Sequence, residues 1–201
     1  CELASRGTRV AMGGPRVSVY PRETLAEAAG AVDSILRGEY DFTVRDLAAA
    51  LAGGAGLEMV EGLSFRTAAG EIVENRARAP IENLDEIPVP PWHFLDVKKY
   101  RNNTYLYPYL DQISGRGCPN RCTFCQWPQV MHGRRYRYCS PERVVREMVE
   151  DFDRYPIKEI FFEDDTLTTD RARLRQICEL ILQQKRRMIW SCNSRVDWAD
   201  L

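Results

Sequence analysis

The chain has 201 residues with 28 Lys and Arg against 29 Asp and Glu, a net charge near zero that gives no case for nucleic acid as a partner. Hydrophobic residues make up 44% and charged residues 28%, a globular composition that excludes a disordered chain. No apolar run approaches the ~18 residues of a membrane span, and residues 1–10 lack the apolar core of a signal peptide, which predicts a cytoplasmic protein without a transmembrane segment.

In chain order, TRVAM (8–12) predicts a short strand that runs into Gly13-Gly14-Pro15. PRETLAEAAGA predicts a helix opened by Pro21, a residue favoured in a first turn. VDSILR (32–37) is a second strand closed by Gly38. Thr43 is expected to cap a helix with Leu47, Ala48 and Leu51 at helical spacing, stopping at Gly53-Gly54. This alternation predicts a parallel, doubly wound sheet. LSFRTAAGEIVEN (63–75) then reads as a hairpin around a Gly-containing turn. Residues 80–109 change character, with four prolines between Pro80 and Pro91 and an aromatic stretch after them, as suits an extended linker.

A second strand–helix series follows. DQIS (111–114) is a strand leading to Gly115, Gly117 and the cluster CPNRCTFC. Ser140-Pro141-Glu142 opens a helix with Val144, Val145, Met148 and Phe152 on one face. IKEIFF (157–162) is a strand ending at Glu163-Asp164-Asp165, and Asp170 caps a helix with Leu174, Ile177, Cys178 and Ile181 inward. MIWSCN (188–193) is a third strand. The chain opens on Cys1 and closes on RVDWADL, the start of a further element, so it reads as an internal piece of a longer protein.

Seven cysteines, an odd number, do not suggest a secreted disulfide framework. Three crowd into residues 118–125 at the spacing Cys-x3-Cys-x2-Cys, on a loop after a strand, which favours metal binding over disulfides. Cys118, Cys122 and Cys125 can hold three irons of a [4Fe–4S] cluster and leave the fourth open to a ligand with an amine and a carboxylate. Gly115 and Gly117 are expected to let the backbone approach such a cluster. The rival from another class is a non-catalytic zinc-binding or interaction module, with His132 or Cys139 as fourth ligand; zinc sites, however, favour paired Cys-x2-Cys knuckles. Cys178 is expected in the core, and buried inert thiols are the default for Cys139 and Cys192. His93 and His132 read as packing or loop residues. Arg134, Arg135 and Arg137 read as a solvated basic loop that could alternatively hold a substrate anion.

CPNRCTFC, with its preceding strand and G-R-G-C-P approach, resembles the signature of the radical S-adenosylmethionine (SAM) superfamily. The resemblance implies that Cys118, Cys122 and Cys125 bind a [4Fe–4S] cluster and that SAM completes it through its amino and carboxylate groups. Phe124 would lie beside the adenine. One electron would cleave SAM to methionine and a 5′-deoxyadenosyl radical that abstracts hydrogen from substrate. Asp164 and Asp165 would accept hydrogen bonds from the SAM ammonium, and Asn193 and Arg195 would meet a carboxylate of SAM or substrate. The VAMGGP, YPRETL and VDSILRGEYDFTVRDL stretches resemble the C-terminal half of the cobalamin-binding domain of one branch of that superfamily, with Gly13 and Gly14 under the cobalamin nucleotide tail. The implied fold is α/β: a partial Rossmann-like cobalamin domain with hairpin (1–79), a linker (80–109), and the first half of a partial (β/α)6 TIM-type barrel (110–201). The sequence is similar to radical SAM proteins of hopanoid biosynthesis and to the anaerobic magnesium-protoporphyrin ester cyclase branch. The resemblance implies a small-molecule, lipid or tetrapyrrole substrate, modified by methylation, cyclisation or rearrangement, and an electron donor such as flavodoxin or ferredoxin.

Overall fold

The computed structural model describes residues 6–198, so Cys1 and residues 199–201 lie outside the described residues. The chain divides into two units. One comprises the residues up to Ile81 together with Asn120–Arg134; the other comprises Glu82–Pro119 and the chain from Arg135 onward. No helix among the described residues is long and apolar enough to cross a membrane.

The first unit is built on a four-stranded sheet in the order β1 (Ala11–Gly13), β2 (Ser34–Leu36), β3 (Leu63–Arg66), β4 (Ile72–Glu74). Side chains alternate across a strand, and β2 shows the consequence. Ile35 joins Val17, Leu25 and Val32 on the side of α1 (Pro15–Val19) and α2 (Pro21–Glu27). Leu36 joins Leu47, Ala50, Leu63 and Phe65 on the side of α3 (Asp41–Gly53). The sheet therefore carries an apolar cluster on each face. It is mixed rather than wholly parallel: β1 and β2 run parallel, but β2–β3 and β3–β4 are antiparallel. The reason is the return path after α3. Gly54 ends the helix in a left-handed conformation, and residues 54–62 bring the chain back beside the end of β2, where the Arg37 amide donates to the Gly62 carbonyl at 2.9 Å. Thr43 is not the cap of α3; Tyr40 precedes its first turn, and Thr43 is fully buried, donating to the Glu61 carbonyl and accepting from Arg78 Nε. The short helix α4 (Trp127–Val130) also belongs to this unit, where Ser18 Oγ lies 3.9 Å from Met131 Sδ.

The second unit carries a parallel three-stranded sheet in the order β5 (Tyr109–Gln112), β8 (Glu159–Phe162), β9 (Trp190–Cys192). These are the three barrel strands that the sequence predicts, with β5 displaced two residues toward the N-terminus from DQIS. The displacement has a local cause: Ser114 gives its amide to Asp164 rather than to a neighbouring strand. Gly115–Arg116 (β6) then pairs with Arg137–Tyr138 (β7) in a two-stranded ribbon. Helices α5 (Pro141–Arg154) and α6 (Arg171–Gln183) connect the parallel strands and pack on each other. Their caps are those the sequence announces: Ser140 accepts from the Arg143 amide and Asp170 from the Arg173 amide. Residues of the proline-rich stretch dock on α5, with the Arg143 guanidinium donating to the carbonyls of Leu84 and Ile87. Tyr105 stacks on Phe161 of β8, ring centroids 4.3 Å apart.

One buried acid in this unit sets a pH dependence. Burial, reinforced by Glu147 and Glu150, pushes the Asp151 carboxyl up to about 7, and its Oδ2 lacks a hydrogen-bond partner among the described residues. The folded state therefore holds a proton that the unfolded chain releases near pH 4. The stability that this proton provides is complete below pH 4 and lost as pH rises through 7. Melting temperatures should fall between pH 5 and pH 8, and Asp151→Asn should flatten that decline; an equally steep decline in the variant would assign it to other groups.

Candidate functional site

The loop that leads from β5 to the cysteines is held by a buried polar network. Asp164, at the end of β8, accepts from the Ser114 amide at 2.6 Å and from the Ser114 hydroxyl at 2.8 Å. Arg173, in the first turn of α6, donates to the Ser114 carbonyl and hydroxyl, both at 3.0 Å. The same guanidinium donates to the Cys139 carbonyl at 3.1 Å and to the Tyr136 hydroxyl at 3.0 Å, and lies over the Tyr138 ring. Asp164 is 1% exposed and Arg173 3%, so both charges depend on these partners. Burial pushes the Asp164 carboxyl up to about 6, opposed by its Ser114 hydrogen bonds and by Arg173.

Three consecutive residues after β8 touch the approach to the first cysteine. Asp164 holds Ser114, Asp165 Oδ2 accepts from the Gly117 amide at 2.8 Å, and Thr166 Oγ1 lies 3.7 Å from Cys118 Sγ. These contacts modify the expected roles of the acids. Both carboxylates face the protein's own donors, and for Asp164 the cause is its complete burial. Gly115 also differs from expectation: a Cβ there would lie 2.7 Å from the Tyr136 ring and 2.9 Å from Asp164 Oδ2, so its small size admits the network rather than a ligand.

The six described cysteines are all free thiols. Cys118 is buried in the second unit, while Cys122 and Cys125 are half-buried in the segment that belongs to the first. No group of three His, Cys, Asp or Glu side chains is gathered for metal binding among the described residues. In kind and number the three thiols suit an iron–sulfur cluster. The other thiols suit it poorly. Burial raises Cys139 to about 11 and also raises Cys178 and Cys192, which disfavours the thiolate that metal binding needs. His132, the other candidate fourth ligand, stacks on Trp127.

Phe124 is 90% exposed, a large apolar surface left to solvent beside Cys125. Asn193 is exposed just past β9, and Arg195 makes a two-point pair with Asp197, 2.9 and 2.7 Å long. The arginine cluster is dispersed: Arg134 donates to the Asn120 carbonyl, Arg135 pairs with Glu82, and Arg137 is buried in β7. Asp111 escaped the sequence reading, which placed it in a strand without a role. Burial and the nearby Glu163 charge lift the Asp111 carboxyl to about 6. An acid in the middle of an apolar strand was the signal.

In the first unit the two glycines differ. A Cβ on Gly13 would press on the Tyr40 ring at 3.0 Å, whereas one on Gly14 would meet no atom within 4 Å. Gly14 holds φ +121°, a conformation that side chains rarely adopt. Ser18 ties the turns after β1 and β2 together, donating to the Gly14 carbonyl at 2.8 Å and accepting from the Gly38 amide at 3.0 Å. Both turns lie at carboxyl ends of parallel strands, where open α/β sheets bind ligands.

The cysteine loop and both later strands lie within residues 113–201, which match the radical SAM superfamily. The chain belongs to that superfamily. Its relatives carry methyltransferase and cyclase names. An uncharacterised methyltransferase of Pyrococcus horikoshii is 36% identical over 188 residues, covering 94% of this chain and 40% of that protein. The anaerobic magnesium-protoporphyrin IX monomethyl ester cyclase of Rubrivivax gelatinosus is 31% identical over 186 residues, covering 89% of this chain and 32% of the cyclase. The chain thus spans well under half the length of these relatives. Among solved structures, the cobalamin-dependent SAM radical enzyme OxsB with aqua-cobalamin and SAM bound shares the fold over 98% of this chain and 27% of its own, with a TM-score of 0.77 at 22% identity. The fold shared with that enzyme is α/β, a partial Rossmann-like domain followed by a portion of a radical SAM barrel.

Removing one partner of a buried charge network leaves the other unsatisfied, at a cost of about 3–5 kcal/mol. Arg173→Met and Asp164→Ala should each lower unfolding stability by that order in denaturant titrations. Exposed Arg175→Met on the same helix serves as control, and a loss no larger than its own would remove the network from its central place.

Proposed function

We propose that the protein containing this chain is a radical SAM enzyme of the cobalamin-associated branch, acting on an unactivated carbon by methylation, cyclisation or rearrangement. The observation that carries the proposal is the docking of the Cys118 approach onto residues 164–166, at the carboxyl ends of parallel strands, where barrel enzymes place their chemistry. Cys118, Cys122 and Cys125 would hold a [4Fe–4S] cluster. When bound, the cluster supplies the electron that splits SAM into methionine and a 5′-deoxyadenosyl radical.

This chain's own residues have assignable parts. Exposed Phe124 offers a flat face to the adenine. Asn193 offers an amide to a carboxylate, and Arg195 offers its guanidinium on exchanging Asp197 for that carboxylate. Asp164 and Asp165 shape the loop that carries the first ligand; any acceptor role toward the SAM ammonium falls to Asp165, the less buried of the two. Gly14 leaves room for the cobalamin tail, and Gly13 keeps the Tyr40 ring close beside it. A magnesium-protoporphyrin cyclase and a hopanoid methylase among the relatives support a small-molecule substrate of tetrapyrrole or lipid class; an electron donor of the flavodoxin or ferredoxin type and a cytoplasmic location complete the proposal.

Two measurements test this reading in the full-length protein. Cys118→Ala, Cys122→Ala and Cys125→Ala should each abolish the reconstituted cluster and SAM cleavage, whereas Cys178→Ala should keep full iron content. If Cys178 proved essential and a member of the triad did not, the ligand assignment would be wrong. Gly14→Val should weaken cobalamin binding at least tenfold, read from the cobalamin absorbance retained after gel filtration, with thermal unfolding as control for the backbone strain. Wild-type affinity in a folded variant would remove Gly14 from the cobalamin site.

A further inference from the structure

We infer that Thr166 is a positioning residue for the iron–sulfur centre, its hydroxyl donating a hydrogen bond to the sulfur of Cys118 and raising the reduction potential there. The inference rests on the cluster reading above and concerns a residue outside the cysteine motif. Thr166 is 3% exposed and Cys118 8%, so no bulk water competes for either group. Their Oγ1 and Sγ are 3.7 Å apart, within hydrogen-bond range for sulfur, and either atom can donate.

The direction follows from protonation. In the free thiol, S–H can donate to Oγ1 while the Thr166 proton goes to the adjacent Asp165 carbonyl, so both groups are satisfied. A metal-bound cysteine has lost that proton. The sulfur then only accepts, and the threonine hydroxyl must choose between a neutral carbonyl and an anionic sulfur. Hydrogen bonds to an ionised acceptor are roughly twice as strong as neutral ones, so the sulfur is the preferred partner.

The backbone around Thr166 keeps the hydroxyl in place. Its own carbonyl accepts from Thr169 Oγ1 at 2.8 Å, and the preceding Asp165 is fastened to the Gly117 amide. Donor and acceptor are thus carried on two segments already fastened at the neighbouring position. Added negative charge on reduction strengthens the bond, which stabilises the reduced form and raises the potential.

The test is a redox titration, followed by electron paramagnetic resonance, of the reconstituted full-length protein carrying Thr166→Val or Thr166→Ser. Valine matches threonine in shape and lacks the hydroxyl. The expected result for Thr166→Val is normal iron content with the reduction equilibrium about tenfold less favourable, ~59 mV lower for one electron. Thr166→Ser should keep the wild-type potential. An unchanged potential in Thr166→Val overturns the inference, as does an equal shift in both variants, which would reflect packing. If Thr166→Val binds no iron while Thr166→Ser binds the full complement, the hydroxyl supports the ligand and the inference stands; if both lose iron, it falls. A wild type that holds no cluster would defeat the cluster reading itself, a result distinct from all of these.

Discussion

The buried bridge that Ser114 makes between Arg173 and Asp164 governs the second unit. A guanidinium and a carboxylate removed from water are costly unless every donor and acceptor finds a partner. Ser114 supplies partners to both charges, through its amide, hydroxyl and carbonyl. As a result β5 ends at Gln112, the chain turns into the β6–β7 ribbon, and Cys118 emerges against the loop after β8. A purely apolar junction could fill the same space, but it would not fix the direction in which the first cysteine leaves the sheet. The polar network specifies that direction because its hydrogen bonds tolerate only one arrangement.

The fold and the chemistry are separately encoded. Apolar periodicity builds the sheets and helices, so that Ile160, Phe162, Val144, Met148 and Ile177 form the interior of the second unit whatever occupies the loops. The loops at the carboxyl ends of the strands then carry thiols, acids and the exposed Phe124. Similarity to OxsB over 98% of the chain at only 22% identity agrees with this division, since burial constrains shape more than identity.

Much of this architecture was legible in the sequence. The strands around Met12, Ile35, Phe161 and Ser191, the hairpin at Gly70, the caps Ser140 and Asp170, and the cysteine spacing all carry local signals, because each depends on residues within a turn or two of itself. What escaped depends on distant partners. Thr43 reads as a cap but is claimed by Glu61 and Arg78, neither of which is near it in sequence. Arg173 reads as one more charge on a helix rich in arginine, and only the fold shows that it points inward. Asp164 reads as a ligand-facing acid, yet its nearest donor is fifty residues upstream. The antiparallel return of β3 is equally invisible, since a helix followed by a strand gives no local sign of which way the strand will run.

The long sequence separation of that network bears on the order of events during synthesis. Ser114 and Arg173 are 59 residues apart, and Gly117 and Asp165 are 48 apart. When Cys118, Cys122 and Cys125 leave the ribosome, the residues that shape the loop have not yet been made. The thiols therefore spend an interval as part of an unstructured nascent segment, open to oxidation or to adventitious metals. They acquire their fixed surroundings only once α6 has been translated and has docked. The surroundings of the first cysteine are thus completed by the arrival of an arginine rather than by the cysteine segment itself.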